Sequence, residues 1–369
     1  MLMIIGVPKE IKDNESRVAL TPAGAVELKR SKHSVIVEKN AGAESGFKDE
    51  MYKKAGAEII ESADEVFKKA DMIVKVKEPQ QSELNMLREG QILFTYLHLA
   101  ADRKLTEGLL ATNATGIAYE TVSENGYLPL LAPMSEVAGR MSILVAAHYL
   151  QKPHGGKGVI MPGVPGTKPA SVLILGGGFV GTNAATVAYG VGADVTILER
   201  SIPRIRTLKD LMPKATILKS NHAILEEELQ VADVLVGAVL VPGGKAPKLV
   251  SKDMVASMEP GSVIVDVAVD QGGCTETTKP TTHSNPVYEV EGVVHYGVTN
   301  MPGAYPRSST IALTNATLPY MLLLADGGIN AVKENPALRL GLNTYKGKLT
   351  CKGVADAFEM KYFDPENLL

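Results

Sequence analysis

The chain has 369 residues, a length that suits two domains of ordinary size. Its 45% hydrophobic and 21% charged composition is that of a water-soluble globular protein, and a net charge of −3 offers no basic field to nucleic acid or an anionic membrane. No apolar run is long enough to span a bilayer, and charge follows the opening MLMIIGV too soon for a secretion signal. Cys274 and Cys351 lie far apart and form no CxxC or metal pattern, so a reduced, cytoplasmic setting with no metal is expected.

In chain order, residues 3–7 read as a first strand, followed by a polar loop to Arg17. Thr21 then caps a helix that has Pro22 at its first position. Strands are expected at 34–38, 58–60, 71–76, 92–97 and 116–119. Helices fall between them at 49–55, 62–69, 82–87 and 101–112. This alternation predicts an α/β layer with a largely parallel sheet. Leu131-Ala132-Pro133 breaks it. Residues 135–151 form a long apolar helix, with Ser135 expected as its cap. A Gly- and Pro-rich stretch, 152–168, comes next.

Residues 171–199, SVLILGGGFVGTNAATVAYGVGADVTILE, organise the remainder. A short apolar strand runs into Gly176, Gly178 and Gly181 in G-x-G-x-x-G register. An Ala-rich helix and a second strand ending on Glu199 complete the unit. The first glycine allows a sharp turn, the second lets a pyrophosphate approach the backbone, and the third lets the helix pack on its strand. Amides at the helix start favour phosphate. Glu199 lies where an acid bonds the adenosine ribose hydroxyls. A bare glycine loop is the bland alternative, but the flanking strand, helix, second strand and acid all agree on a dinucleotide site.

Beyond Glu199, strands are expected at 216–218, 234–238 and 263–267, with helices near 224–231 and 252–258. Residues 308–325 are helical in composition apart from Pro319 and are expected to return to the first domain. The tail, 335–369, reads as short surface helices. The predicted fold is therefore α/β with two domains and a cleft between them. One is a Rossmann-type doubly wound NAD-binding domain over 131–303. The other is a discontinuous α/β substrate domain made of 1–130 and 304–369.

In an open α/β sheet, ligands bind beyond the carboxyl ends of the strands. Arg17, Lys77 and His98 sit after strands of the first domain. Val239, Leu240, Asp270 and Asn300 sit after strands of the second. Taken singly, Arg17 and Lys77 read equally well as solvated surface charges, His98 as a capping or packing histidine, and Asp270 as a loop cap. As a set beside a dinucleotide motif they read as a site.

These residues sit in longer stretches: IGVPKEIKDNESRVALTPAG (5–24), VKVKEP (74–79), ILFTYLHLA (92–100), LAPMSEVAGR (131–140), GAVLVPGGKAPKLV (237–250), VDVAVDQGGC (265–274), and NMPGAYPRSST with ALTNATLPY (300–320). In all of them the chain resembles the alanine dehydrogenases, essentially from end to end. The proton-translocating transhydrogenase α subunits share the opening and the two-domain plan but not the DQGG loop. The resemblance implies a reversible oxidative deamination: L-alanine, NAD and water give pyruvate, ammonium and NADH. It implies substrate binding by Arg17 and Lys77, with His98 and Asp270 as the catalytic pair. It also implies a cofactor lining of Ser135, Gly176, Gly178, Phe179, Val180, Gly181, Glu199, Arg204, Ser220, Val239, Leu240, Val267, Ala268, Val269, Asp270, Val298, Asn300 and Met301. Glu199 stands where many members have Asp, and Lys279 where many have Arg. The family's usual assembly is a homohexamer.

The chemistry needs these residue types. Oxidation of the alanine Cα gives an iminium, water adds to form a carbinolamine, and collapse gives pyruvate and ammonia. Each step moves protons, which suits an imidazole. A guanidinium suits a carboxylate. Two alternatives compete: a soluble transhydrogenase-type nucleotide domain, and an NAD-sensing protein on a retired dehydrogenase scaffold. The complete set of Arg17, Lys77, His98 and Asp270 argues against both.

Overall fold

The structure is a computed structural model and describes residues 2–239 and 246–369. The chain divides into two compact units, Met1–Met134 with Tyr305–Leu369, and Ser135–Ala304. The first opens with β1 (Ile4–Val7), β2 (Ser34–Glu38), β3 (Glu58–Ile60), β4 (Met72–Val74), β5 (Ile92–Thr95) and β6 (Thr115–Ala118). The second carries β7 (Ser171–Leu175), β8 (Asp194–Glu199), β9 (Thr216–Lys219), β10 (Val234–Gly237), β11 (Val263–Asp266), β12 (Val287–Val290) and β13 (Val293–Tyr296). The returning segment adds β14 (Leu342–Tyr345) and β15 (Lys348–Leu349) to the first unit.

The first sheet has the order β15-β14-β6-β5-β4-β1-β2-β3, and the second β12-β13-β11-β10-β7-β8-β9. Strands β1 to β6 pair in parallel, and β14 runs antiparallel to both of its neighbours, β6 and β15. In the second sheet β12 alone is antiparallel. Both units therefore contain a doubly wound order of type 3-2-1-4-5-6, with the winding reversing beside β1 in one and β7 in the other.

Strand periodicity explains how the second unit buries its sheet on both faces. Val172 and Ile174 join one apolar cluster with Ala184, Ala185 and Ala188 of the helix Phe179–Val191, while Leu173 and Leu175 join another with Leu225, Leu229 and Met254. Successive strand residues point to opposite faces, so an unbroken apolar run is what a doubly covered parallel strand needs. In the first unit Ile36, Ile73, Leu93 and Leu97 pack with Val66 and Phe67 of the helix Ala63–Lys69 and with Leu105 and Leu109 of Arg103–Ala111. Thr21 caps its helix as expected, accepting from Gly24 N at 3.2 Å.

Four local expectations change. The connecting helix begins at Ala132, three positions before Ser135, because Pro133 falls in the first turn, where its missing N–H leaves no bond unmade. A helix at Ile202–Leu211 was not expected; Ser201 caps it and Pro203 lies in its first turn. Strand β12 was not expected. The tail is not helices alone: Leu342–Leu349 forms a hairpin that extends the sheet, turning at Lys346 and Gly347, both with positive φ. No helix among the described residues is long and apolar enough to cross a membrane.

Candidate active site

The glycine loop lies between β7 and the helix Phe179–Val191. Gly176 has φ of +95°, the turn that only glycine makes without strain. A Cβ at Gly181 would lie 1.8 Å from the Gly176 carbonyl oxygen and 3.3 Å from the Ala238 Cβ. That glycine is fixed by close packing of the helix start on its own turn and on the end of β10. Gly178 differs: a Cβ there would meet nothing within 4 Å, and it caps a helix start that has no side-chain cap. The loop thus leaves open space beside helix N-terminal amides, which is the cradle a pyrophosphate requires.

The acid at the end of β8 braces this loop. Glu199 Oε2 accepts from Gly177 N at 2.8 Å, and Oε1 accepts from Arg200 N at 2.7 Å and Ser201 N at 2.8 Å. Arg204 is a staple too. Its Nε donates to the Gly177 carbonyl and its Nη2 to Thr182 Oγ1, both at 2.7 Å. Ser220 donates its amide to the Glu199 carbonyl at 2.9 Å. Val239 comes after β10, beside Gly176. Leu240 lies outside the described residues. Phe179 is exposed and Val180 half-buried at the helix start. Ser135 is half-buried in a helix whose Arg140 donates to Asn183 Oδ1 at 2.9 Å, so that helix packs on the one after the glycine loop.

Asp270 is exposed on the short turn Val267–Gln271 beyond β11. The turn is knotted by buried Asp266. Its carboxylate accepts from Ala268 N at 3.1 Å, Cys274 N at 2.8 Å and Thr275 N at 3.3 Å, and also from the Thr278 hydroxyl. Lys248 ties down the Gly272 and Thr275 carbonyls. Ala268 and Val269 point into the fold, and Val298 and Met301 are equally buried, so all four offer a ligand chiefly backbone. Asn300 stands between the last two with φ of +60°.

In the first unit the structure gathers charge at the ends of β1, β4 and β5. Arg17 is buried, and its Nε donates to Glu15 Oε1 at 2.6 Å while Nη2 bonds Oε2. Nη1 stands 3.1 Å from Met134 Sδ. Burial raises the cost of the Glu15 charge, but the Arg17 hydrogen bonds outweigh it and hold the carboxyl below its usual range. Lys77 is half-buried; burial, then the neighbouring Arg17 charge, push its ammonium below the ordinary lysine value. The Thr95 hydroxyl fixes the Lys77 carbonyl at 2.9 Å. Directly inside the fold, Lys75 is fully buried between Glu83 Oε1 at 2.6 Å and Glu10 Oε2 at 3.1 Å. Glu10 Oε1 also accepts from Val76 N at 2.6 Å, which ties the loop after β1 to the end of β4.

His98 has φ of +49°, an uncommon backbone for a residue with a side chain. Glu120 holds it there, accepting from His98 N at 2.6 Å and Leu97 N at 3.1 Å. Tyr96 stacks on the ring at 5.7 Å between centroids, with its hydroxyl tied to the Leu130 carbonyl at 2.6 Å. His98 Nδ1 lies 3.3 Å from Glu78 Oε2. Sequence reasoning singled out Arg17, Lys77 and His98 but missed the acids Glu10, Glu15, Glu78, Glu83 and Glu120 and the loop anchor Asp266. One signal was legible: a lysine at 75 within an apolar strand demands buried counter-charge.

A doubly wound sheet with a glycine loop and terminal acid, in one chain with a second doubly wound sheet whose strand ends are charged, defines the class: a two-domain dehydrogenase. Residues 6–138 match the family described as "Alanine dehydrogenase/PNT, N-terminal domain" and residues 142–352 the corresponding C-terminal domain. The chain is 57% identical to the alanine dehydrogenase of Methanococcus maripaludis and 53% identical to that of Halomonas elongata, covering 100% of both chains in each case. A solved L-alanine dehydrogenase superposes with a TM-score of 0.94 at 50% identity, over 97% of this chain and 99% of that one. A solved transhydrogenase from Sinorhizobium meliloti gives 0.82 at 25% identity, over 94% of this chain and 100% of that one. The chain belongs to the alanine dehydrogenase/PNT family and is an amino-acid dehydrogenase.

Proposed function

We propose that this enzyme carries out the NAD-dependent, reversible oxidative deamination of L-alanine to pyruvate and ammonium. One observation carries the reading: a single chain holds a glycine loop with open space at Gly178 and a second sheet whose strand ends bring Arg17 and Lys77 into electrostatic contact, with His98 close by in the same unit. The relatives named above that share more than half of their residues with this chain are alanine dehydrogenases.

The residues that would hold NAD are the Gly176–Gly181 loop, Glu199 at the ribose, and the backbone after β10, β11 and β13. When bound, NAD supplies the acceptor for the hydride leaving the alanine Cα. Arg17 binds the substrate carboxylate. Lys77 donates to the carboxylate or to the oxygen that develops as water adds, and its lowered proton affinity eases the sharing of that proton. His98 takes a proton from the attacking water in oxidation and returns one when pyruvate is aminated. Asp270 orients water or the amino group and offsets the iminium charge. The working assembly is proposed to be a homohexamer.

The test is the rise of NADH absorbance when purified protein, NAD and L-alanine are mixed, and its decay with pyruvate and ammonium. No NADH from alanine under any condition that keeps the protein folded would sink the reading. Hydride passed to a second nucleotide instead would favour the transhydrogenase alternative.

A further inference from the structure

Glu78 has no part in the chemistry above, yet its carboxylate meets the His98 ring. Its side chain is 14% exposed against 43% for the ring it meets, so the carboxylate is the inner and more fixed partner. One oxygen faces His98 Nδ1 at 3.3 Å, and the other pairs with Lys12 from the loop after β1. Among the described residues, Nε2 of the ring makes no hydrogen bond.

We propose that Glu78 is the positioning residue of His98: it accepts the Nδ1 proton, fixes that tautomer, and leaves Nε2 as the nitrogen that exchanges protons with substrate and water. The inference rests on the reading of His98 as the proton carrier. Three features support it independently. The left-handed backbone at His98 persists only because Glu120 bonds two consecutive amides, and such conformations survive where surroundings over-determine them. Tyr96 limits the ring's rotation from one face. Burial alone would lift the Glu78 carboxyl, but hydrogen bonds from His98 and Lys12 bring it down to about 2, so it is an acceptor throughout the neutral range. An ionised acceptor on one imidazole nitrogen fixes the tautomer and makes the other nitrogen more basic.

The charged and titratable groups in this cluster are Glu78 and Lys77 after β4, Lys12 after β1, Glu120 after β6, and Tyr96 just after β5. Their signs give opposing expectations. Loss of the Glu78 charge disfavours a protonated ring, so the acid limb of alanine oxidation moves to lower pH. Loss of Lys12 removes a cation that offsets Glu78, so the limb moves to higher pH.

The experiment compares full-length wild type, Glu78→Gln, Glu78→Asp, Lys12→Met and His98→Ala. It measures kcat and KM across pH, NADH affinity, and the ¹⁵N shifts of the His98 ring. Glu78→Gln should lower kcat roughly 10- to 100-fold and shift the limb by about one pH unit, with NADH affinity unchanged. Glu78→Asp should restore part of the rate. The wild-type ring should show an Nδ1–H tautomer that Glu78→Gln loses. A Glu78→Gln enzyme with the wild-type pH profile and ring tautomer overturns the proposal, whether its rate is unchanged or falls uniformly through lost stability. Failure of the underlying reading looks different: wild type makes no NADH from alanine, or His98→Ala keeps its turnover, and the ring shifts still decide whether Glu78 sets the tautomer.

Discussion

The two units share one strand order and differ in the loop that leaves their first strand. After β7 the chain turns at once through Gly176 and starts a helix at Phe179, so the strand end meets bare backbone and helix amides. After β1 the helix waits until Pro22, and the intervening loop brings in Glu10, Lys12, Glu15 and Arg17. One crevice presents peptide N–H groups and a missing side chain. The other presents charged side chains, Glu10, Glu15 and Arg17 buried and Lys12 half-exposed, each held in an ion pair. On the proposed reading, the same topology serves the phosphates of a dinucleotide in one case and a small carboxylate in the other. Topology chooses where a ligand binds, and the first loop chooses its chemistry.

That contrast can be broken at several points. The largest effect is expected at His98. His98→Ala should lower turnover on the order of 10²- to 10⁴-fold, with NADH binding unchanged because the glycine loop lies in the other unit. Stopped-flow turnover and NADH titration check both halves. If turnover survives, the charged crevice has another proton carrier.

Next comes Arg17→Lys. Losing one charged hydrogen bond is typically worth ~1.5–3 kcal/mol, so kcat/KM for alanine should fall roughly 10- to 150-fold while NAD affinity holds. Native efficiency in this variant would make the Glu15–Arg17 pair a purely structural bridge.

In the other crevice, Gly178→Ala should leave thermal stability nearly unchanged, because nothing lies within 4 Å of the added Cβ, yet weaken NAD binding by about tenfold or more, ~1.4 kcal/mol. Gly181→Ala should lower both, given the 1.8 Å approach to the Gly176 oxygen. Calorimetry with NAD and a thermal melt separate the two; a Gly178→Ala protein with wild-type affinity would mean that no phosphate sits there. In the same loop Glu199 should favour NAD over NADP by repelling a 2′-phosphate, moderated by Arg200, Arg204 and Arg206. Equal kcat/KM for the two cofactors would refute that.

The smallest effect concerns acid stability, where the units should separate. His295 is buried, bonds Thr277 Oγ1 at 2.7 Å and the Val293 carbonyl at 2.9 Å, and burial lowers its proton affinity. A lowered folded value means that the unfolded chain binds the proton first. Its stabilisation is therefore full above about pH 6.5 and is lost as pH falls through the folded value. Glu78 obeys the same sign from a lower start: its contribution is full above about 4.5 and is lost towards about 2. Hydrogen exchange should show β13 loosening at a higher pH than β4 and β5, and His295→Gln should remove that early step. Simultaneous loosening in the wild type would contradict this.

Much was legible in the sequence because it is local. Apolar runs of strand length, Thr21 before Pro22, and the spacing of Gly176, Gly178, Gly181 and Glu199 each state their own structure through backbone sterics and periodicity. The hairpin at Leu342–Leu349 was missed because a short strand carrying Asn343 and Thr344 looks polar until a sheet edge satisfies it. The acids around the charged crevice were missed for a related reason. Glu10 and Lys75, or Glu78 and Lys12, are far apart in sequence, and each acid alone reads as a solvated surface charge. The sequence by itself determined the alternation of elements, the glycine loop and the identity of the basic and imidazole groups, since these depend on residue type and spacing. Only the tertiary structure decided which carboxylates face them. A buried charge is tolerated only with a partner, and the partners come together only when the ends of β1, β4 and β5 lie side by side in one sheet.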